Sequence, residues 1–281
     1  MLDILLHLLL PIASSLIYVG LGYHFWKTRW CETGKTLSPL PMQNWERLAI
    51  LIALILQGIG LHDALFGAGG LRFSFSFALS LMLWLAVLIY WLESFRSRMD
   101  GLQPMVLPLA ALCSMLPVFF PQVHVVAYAE SWGFKLHFVA AMLAYSLFTL
   151  SALHAVFMSV VERKLHLGVL NTQLASLPPI LAMETLLFRM ITVAFSLLTI
   201  TLGSGVMFSE VIFGKALAFD HKTLFAFTSW GIFAALLIGR HIYGWRGRIA
   251  LRWTLTGFLL LFLAYIGSRF VSEVLLGRIQ Q

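Results

Sequence analysis

The chain has 281 residues, of which 60% are hydrophobic and only 11% are charged. Soluble domains carry roughly a quarter charged residues, so this composition excludes a soluble protein and indicates one that crosses the lipid bilayer several times. The net charge of +7 is not gathered into a long basic run. In a membrane protein such an excess marks cytoplasmic loops, so no nucleic-acid partner is expected.

Eight apolar segments, each about 17 to 28 residues long, are long enough to cross a bilayer as helices. In chain order they cover residues 3–25, 46–62, 73–92, 104–120, 134–161, 186–208, 222–241 and 250–274. The fourth contains Pro108 and Pro117, which a membrane helix tolerates when neighbouring groups satisfy the freed carbonyls. We therefore predict an all-α, polytopic transmembrane helical bundle of about eight spans, which forms a single integral membrane domain over residues 1–281.

The distribution of basic residues predicts the orientation of these spans. Most of the nineteen Lys and Arg residues lie in the segments that follow spans one, three, five and seven. Cytoplasmic segments carry the excess of Lys and Arg, so both termini are predicted to lie outside. The N-terminal sequence MLDILLHLLL has no Lys or Arg before its apolar run, which favours a first span over a signal peptide.

Nine histidines are many for so apolar a chain. On the predicted topology, His62 ends the second span and His137 begins the fifth, both at the outer side. Two neutral imidazoles that face each other across a cleft can ligate a haem iron axially. Each can equally cap a carbonyl or lie among lipid headgroups, and both interpretations stay open. Structural zinc is disfavoured because neither HxxxH nor HExxH occurs, and the absence of CxxCH excludes a cytochrome c.

Residues 205–222, GVMFSEVIFGKALAFDHK, join the sixth and seventh spans and are aromatic where a soluble loop would be polar. We name them the aromatic segment. Its three phenylalanines and charged end are Phe208, Phe213, Phe219, Asp220 and Lys222. Such a segment would form an apolar shelf at the membrane surface for a flat apolar ligand. The alternative is an interfacial aromatic belt, although belts are richer in Trp and Tyr than in Phe.

The aromatic segment resembles a degenerate form of the tryptophan-rich segment of the CcsA/CcmC-type cytochrome c assembly proteins, approximately GxxWAxxxWGxxWxWDPKE. Aligned without gaps, Gly205, Gly214, Asp220 and Lys222 match as they stand. The four tryptophan positions hold Phe208, Phe213, Leu217 and Phe219. The runs GRHIYGWRGRIAL (239–251) and AYIGSRFVSE (264–273) are also similar to the family. The resemblance covers residues 45–275 and is strongest to the YpjD/HemX-like subgroup, where the four tryptophans are typically lost.

The resemblance implies a multi-pass protein of the bacterial cytoplasmic (inner) membrane that handles haem b at the outer leaflet. In the family the aromatic segment holds the haem plane and outer histidines ligate the iron. His137 resembles the first flanking histidine, and the second, expected after the seventh span, has no counterpart. His62 as the second axial ligand is our own hypothesis. Lys135, Lys222 or Arg72 would neutralise the propionates.

We expect such a protein to present haem to other cytochrome assembly or tetrapyrrole-pathway proteins without catalysing a reaction. A second hypothesis is a HemX-like membrane scaffold or regulator of tetrapyrrole metabolism that carries no haem. Loss of the four tryptophans and of one flanking histidine supports it, and its docking surface would be the inner loop 162–185. A small-solute transporter is disfavoured, because no internal repeat and no acidic residue within a span stands out.

Overall fold

The computed structural model describes residues 2–31, 42–66, 71–96, 101–121, 124–125, 131–166, 179–213 and 221–271. Most of these residues are helical. The principal helices are α1 (Leu2–Phe25), α2 (Asn44–Phe66), α3 (Phe75–Glu93), α4 (Gln103–Phe119), α5 (Trp132–His166), α6 (Ile180–Phe213), α7 (His221–Tyr243) and α8 (Arg248–Phe262).

Short irregular elements complete the described part of the chain. Two strands of two residues each, β1 (Arg72–Phe73) and β2 (His124–Val125), pair in antiparallel fashion. A π-helical turn, Trp26–Cys31, extends α1, and a second, Leu263–Gly267, extends α8 into the short helix α9 (Ser268–Phe270).

Seven of the helices are long and apolar enough to cross a membrane, and α4, at 17 residues, is a shorter apolar helix. The predicted all-α transmembrane bundle is therefore confirmed. Pro108 and Pro117 both lie inside α4, as the sequence predicted. The placement of both termini outside stays a prediction.

The helices form two groups in chain order. In the first, α1 packs against α2 and α4, and α3 packs against α4. In the second, α5 packs against α6 and α8, and α7 packs against both α6 and α8. Contact between α3 and α5 joins the groups. In the second group, the buried rings of Phe148 and Phe233 stack with their centroids 4.0 Å apart.

One end of the bundle is held by ion pairs between helices. This is the end predicted to face the cytoplasm, where water and headgroups lower the cost of charge. Glu46 of α2 is buried and accepts a hydrogen bond from His24 Nε2 of α1 at 2.9 Å. Arg29 of the π-helical turn after α1 also pairs with Glu46, at 3.5 Å. Further pairs link α3 to α6, α7 to α6 and α8 to α5, namely Glu93–Arg189, Arg240–Glu184 and Arg248–Glu162.

The opposite end of the bundle is apolar and aromatic. We name its buried residues and the rings packed on them the outer aromatic cluster. Its members come from α2, β1, α3, α5 and the turn after α8, and include Leu61, Leu65, Phe73, Phe77, Phe134, Phe138, Met142 and Ile266. The Phe73 and Phe138 rings meet edge to face at 5.0 Å. His62 and His137 therefore lie at an apolar end, away from the ion pairs.

Candidate functional site

His137 lies near the start of α5 and is half-buried against α6. Its Nδ1 is 2.8 Å from Ser204 Oγ, a hydrogen bond between residues 67 positions apart. Ser204 is directly followed by Gly205, the first residue of the aromatic segment. Packing of α5 on α6 therefore brings the predicted iron ligand to the beginning of the predicted haem shelf.

The Ser204 hydroxyl is the hydrogen-bond partner of the His137 ring on α6. It lies 2.8 Å from the Ile200 carbonyl and 3.1 Å from the Thr201 carbonyl, two acceptors for its single proton within the same helix. When either carbonyl accepts that proton, the hydroxyl oxygen accepts from His137, and Nδ1 is then the protonated nitrogen. In a neutral imidazole this leaves the lone pair on Nε2, the form in which histidine binds a metal. The hydrogen bond from His137 to Ser204 is thus of the kind that orients a metal-binding histidine.

Gly205 lies beside the His137 ring. A Cβ atom at this position would be 3.5 Å from His137 Cε1, in ordinary van der Waals contact. A larger side chain would extend into the space beside the ring, whereas glycine leaves that space open. The local sequence Ser-Gly therefore supplies both a hydrogen-bond partner for the ring and room for a group next to it.

The first half of the aromatic segment is a helical continuation of α6. The sixth span was predicted to end at residue 208, but the helix ends at Phe213. The backbone of Phe208 is one helical turn beyond Ser204, and that of Phe213 closes the helix. Their side chains, and all of Phe219 and Asp220, lie outside the described residues. Lys222 is half-buried in the first turn of α7.

His62 lies at the same end of the bundle as His137, but on α2 and beside α3. It is an exposed residue of α2 and lines an apolar groove of about 370 Å³ between α2 and α3. Leu51, Ile55 and Gly58 share its helix face, since they precede it by eleven, seven and four positions. The groove volume lies within the range of small-ligand sites.

Trp84 of α3 forms the opposite side of this groove. Its Nε1 donates to the Leu54 carbonyl at 2.7 Å, which fixes the indole across the two helices. A Cβ atom on Gly58 would lie 3.2 Å from the Trp84 ring, so the glycine allows this close approach. The result is a flat aromatic wall with a histidine near it.

The two histidines adjoin one cluster but have different neighbours. Leu61, next to His62, and Phe138, next to His137, both belong to the outer aromatic cluster. The His62 ring lies with α3 in the groove, and the His137 ring lies with α6 at Ser204. The structure thus gives each ring its own surroundings at one end of the bundle, and coordination of one iron by both rings stays a prediction.

The basic residues proposed to neutralise the haem propionates differ in where the structure places them. Lys135 is exposed, and its Nζ lies over the Trp132 ring, 5.4 Å from the centroid. Two positions along a helix correspond to about 200° of rotation, so Lys135 leaves α5 on the side away from His137. Arg72 belongs to β1, and its side chain lies outside the described residues. Lys222, in the aromatic segment itself, is therefore a stronger candidate than Lys135.

Sequence reasoning gave no role to Ser204, Trp84 or Gly58. Ser204 is 67 positions from His137, and Trp84 is 22 from His62, so no local motif connects them. One signal was present for Gly58, a glycine four residues before a histidine within an apolar span. Small residues in membrane helices commonly mark close approach of a neighbour.

The chain is similar to known proteins over most of its length. A family model described as Cytochrome C assembly protein matches residues 40–276. The inner membrane protein YpjD of Escherichia coli (strain K12) is 26% identical over 240 residues, which cover 83% of this chain and 89% of that protein. The cytochrome c biogenesis protein CcsA of Prochlorococcus marinus (strain MIT 9215) is 37% identical over 90 residues, which cover 32% of this chain and 29% of that protein.

Proposed function

Because the chain belongs to the cytochrome c assembly protein family, we propose that it binds haem b at the outer leaflet and presents it to another assembly protein. The resemblance predicted from the sequence is confirmed at the level of the family. The similarity of the chain to YpjD, and the seven helices among its described residues that are able to span a membrane, make it a multi-pass inner-membrane protein. Haem binding, its side of the membrane and the receiving partner are the proposal.

The observation that carries the proposal is the hydrogen bond between His137 and Ser204. A half-buried histidine whose Nδ1 proton is engaged directs its Nε2 lone pair away from the helix that holds it. A bound haem would supply an iron that His137 could ligate through this lone pair. The hydrogen bond to Ser204, the glycine beside the ring and the nearby aromatic segment all suit such a ligand.

The aromatic segment and His62 are assigned the remaining contacts. Phe208, Phe213 and Phe219 provide apolar area for the haem plane, and Lys222 neutralises a propionate, with Asp220 beside it in sequence. His62 would provide the second iron ligand, from the side of the α2–α3 groove. The proposed role is to hold and present haem without a covalent step.

A titration with hemin of the protein purified in detergent tests this proposal. We compare the wild type with His137→Ala, His62→Ala and His241→Ala, the last an exposed histidine near the other end of the bundle. Loss of an axial ligand should weaken haem affinity by about tenfold or more and convert a six-coordinate spectrum into a five-coordinate one. His241→Ala should titrate like the wild type.

The pattern among the variants separates the assignments. Equal behaviour of His137→Ala and wild type would remove His137 as a ligand. A six-coordinate spectrum in His62→Ala would exclude His62 alone. A wild type that takes up no hemin would contradict haem binding and favour the scaffold or regulator hypothesis. The docking loop of that hypothesis, 162–185, lies partly outside the described residues, at 167–178.

A further inference from the structure

A second cleft lies at the opposite end of the bundle, between α5 and α8. Its volume is about 290 Å³. From α5 it is lined by Ser159, Glu162 and Arg163, and from α8 by Arg248, Leu251, Arg252 and Leu255. The spacing of the α8 residues, at three, four and seven positions from the first, places them on one face of the helix. Neither the family match nor the proposed haem site accounts for this cleft.

The cleft carries an excess of positive charge. Arg248 Nε donates to Glu162 Oε1 at 2.9 Å, so this arginine is neutralised by the carboxylate of the cleft. Arg163 and Arg252 are both exposed, and neither forms an ion pair with any of the described residues. Two guanidinium groups therefore line the cleft without a carboxylate among the described residues to balance them. A guanidinium binds phosphate oxygens in bidentate fashion.

The polarity of the cleft changes along the helix axis. Arg248 begins α8, and Leu251 and Leu255 lie one and two turns farther from that end. On α5, Ser159 lies one turn farther in than Arg163, since α5 ends at His166. Leu259, one further turn along α8, is a leucine that is 57% exposed. The cleft is thus charged at the end predicted to face the cytoplasm and apolar farther along α8, toward the membrane centre.

From this arrangement we infer that the cleft binds an anionic phospholipid of the cytoplasmic leaflet. Its phosphodiester lies between Arg163 and Arg252, and one acyl chain runs along Leu255 and Leu259. Basic pockets between transmembrane helices on the cytoplasmic side bind anionic headgroups in this manner. The cleft is on the side to which the Lys and Arg bias assigns the cytoplasm. The inference does not rest on haem binding.

Native mass spectrometry of the detergent-purified protein tests the inference. We titrate phosphatidylglycerol and phosphatidylcholine with identical acyl chains, and inorganic phosphate separately. The wild type should retain phosphatidylglycerol on the order of tenfold better than phosphatidylcholine, and the double variant Arg163→Gln/Arg252→Gln should lose that preference. Both arginines are exposed, so the double variant should keep its helical circular dichroism, which is recorded alongside.

Arg246→Gln is the matched control, because Arg246 is exposed and lies two residues before Arg248 but does not line the cleft. It should retain the wild-type preference. Equal retention of the two lipids by the wild type would overturn the inference. So would an equal loss in Arg246→Gln, which indicates a diffuse basic surface. Displacement of phosphatidylglycerol by millimolar inorganic phosphate would identify a free-anion site and exclude the lipid.

Discussion

At the scale of single residues, the Ser204 hydroxyl is the contact that connects His137 to α6. The hydroxyl bonds to Ile200 within α6 and to His137 of α5, so it links the helix backbone to the ring. Partners of this kind orient a metal-binding histidine, and their loss costs roughly 10- to 100-fold in metal affinity. Ser204 therefore belongs to the proposed site through its contact with His137.

The first residue-scale prediction concerns Ser204→Ala. Loss of the hydroxyl releases the ring and its tautomer, so hemin affinity should fall by about tenfold while the protein keeps its fold. Spectrophotometric titration measures the change. Ser196→Ala is the matched control, since Ser196 lies on the same helix, is exposed and, among the residues that the structure describes, bonds only to the Thr192 carbonyl. Identical titrations of Ser204→Ala and the wild type would contradict the assignment.

The sequence predicted the type and depth of the site residues but not their neighbours. His62 and His137 could be placed at one end because span boundaries determine depth. Their separate surroundings, against Trp84 and Ser204, depend on which helices pack together. In a chain that is 60% hydrophobic, most span surfaces are apolar, so the hydrophobic pattern carries little information about helix pairing.

At the scale of elements, α7 and α8 are joined by a tight turn that depends on glycine. Gly244 and Gly247 both have positive φ, at 65° and 57°, which favours glycine. The turn folds Trp245 back on α7, where its backbone N–H donates to the Gly239 carbonyl at 3.2 Å. An added Cβ on Gly239 would lie 2.4 Å from the Trp245 ring. The GRHIYGWRGR motif is thus explained by packing of this turn.

Gly239→Ala should destabilise the protein by about 1–3 kcal/mol, because the indole and the turn must move to admit the methyl group. Thermal unfolding in detergent, followed by circular dichroism, measures the effect. Gly231→Ala provides the control on the same helix, since an added Cβ there meets nothing within 4 Å. Equal midpoints for the two variants would show that the Gly239–Trp245 contact does not limit stability.

The aromatic segment contains a helix end that the sequence predicted at the wrong residue. The hydropathy of the sequence predicted that the sixth span ends at residue 208, yet α6 continues to Phe213. No helix-breaking residue occurs between Gly205 and Phe213, and the next glycine is Gly214. Ser209 and Glu210 lower the local hydropathy without opposing a helix, so the apolar span ends before the helix does.

At the scale of the whole molecule, the two ends of the bundle differ in chemistry. One end is held by ion pairs and contains the basic α5–α8 cleft. The other is an aromatic cluster beside which the two candidate histidines lie. Composition was sufficient to predict the helical bundle, and the Lys/Arg bias predicted which end carries most of the basic residues, since both follow from the bilayer. The orientation itself stays a prediction of that bias.

The central claim is that this chain carries haem through an outer-face histidine, and the haem content of the purified protein tests it most directly. The wild type is extracted from bacterial membranes in mild detergent, and its absorption spectrum is recorded before and after reduction. We predict a Soret band with the sharp reduced α and β bands of six-coordinate haem b, strongly weakened in His137→Ala. A haem-free wild type that also fails to bind added hemin would contradict the claim.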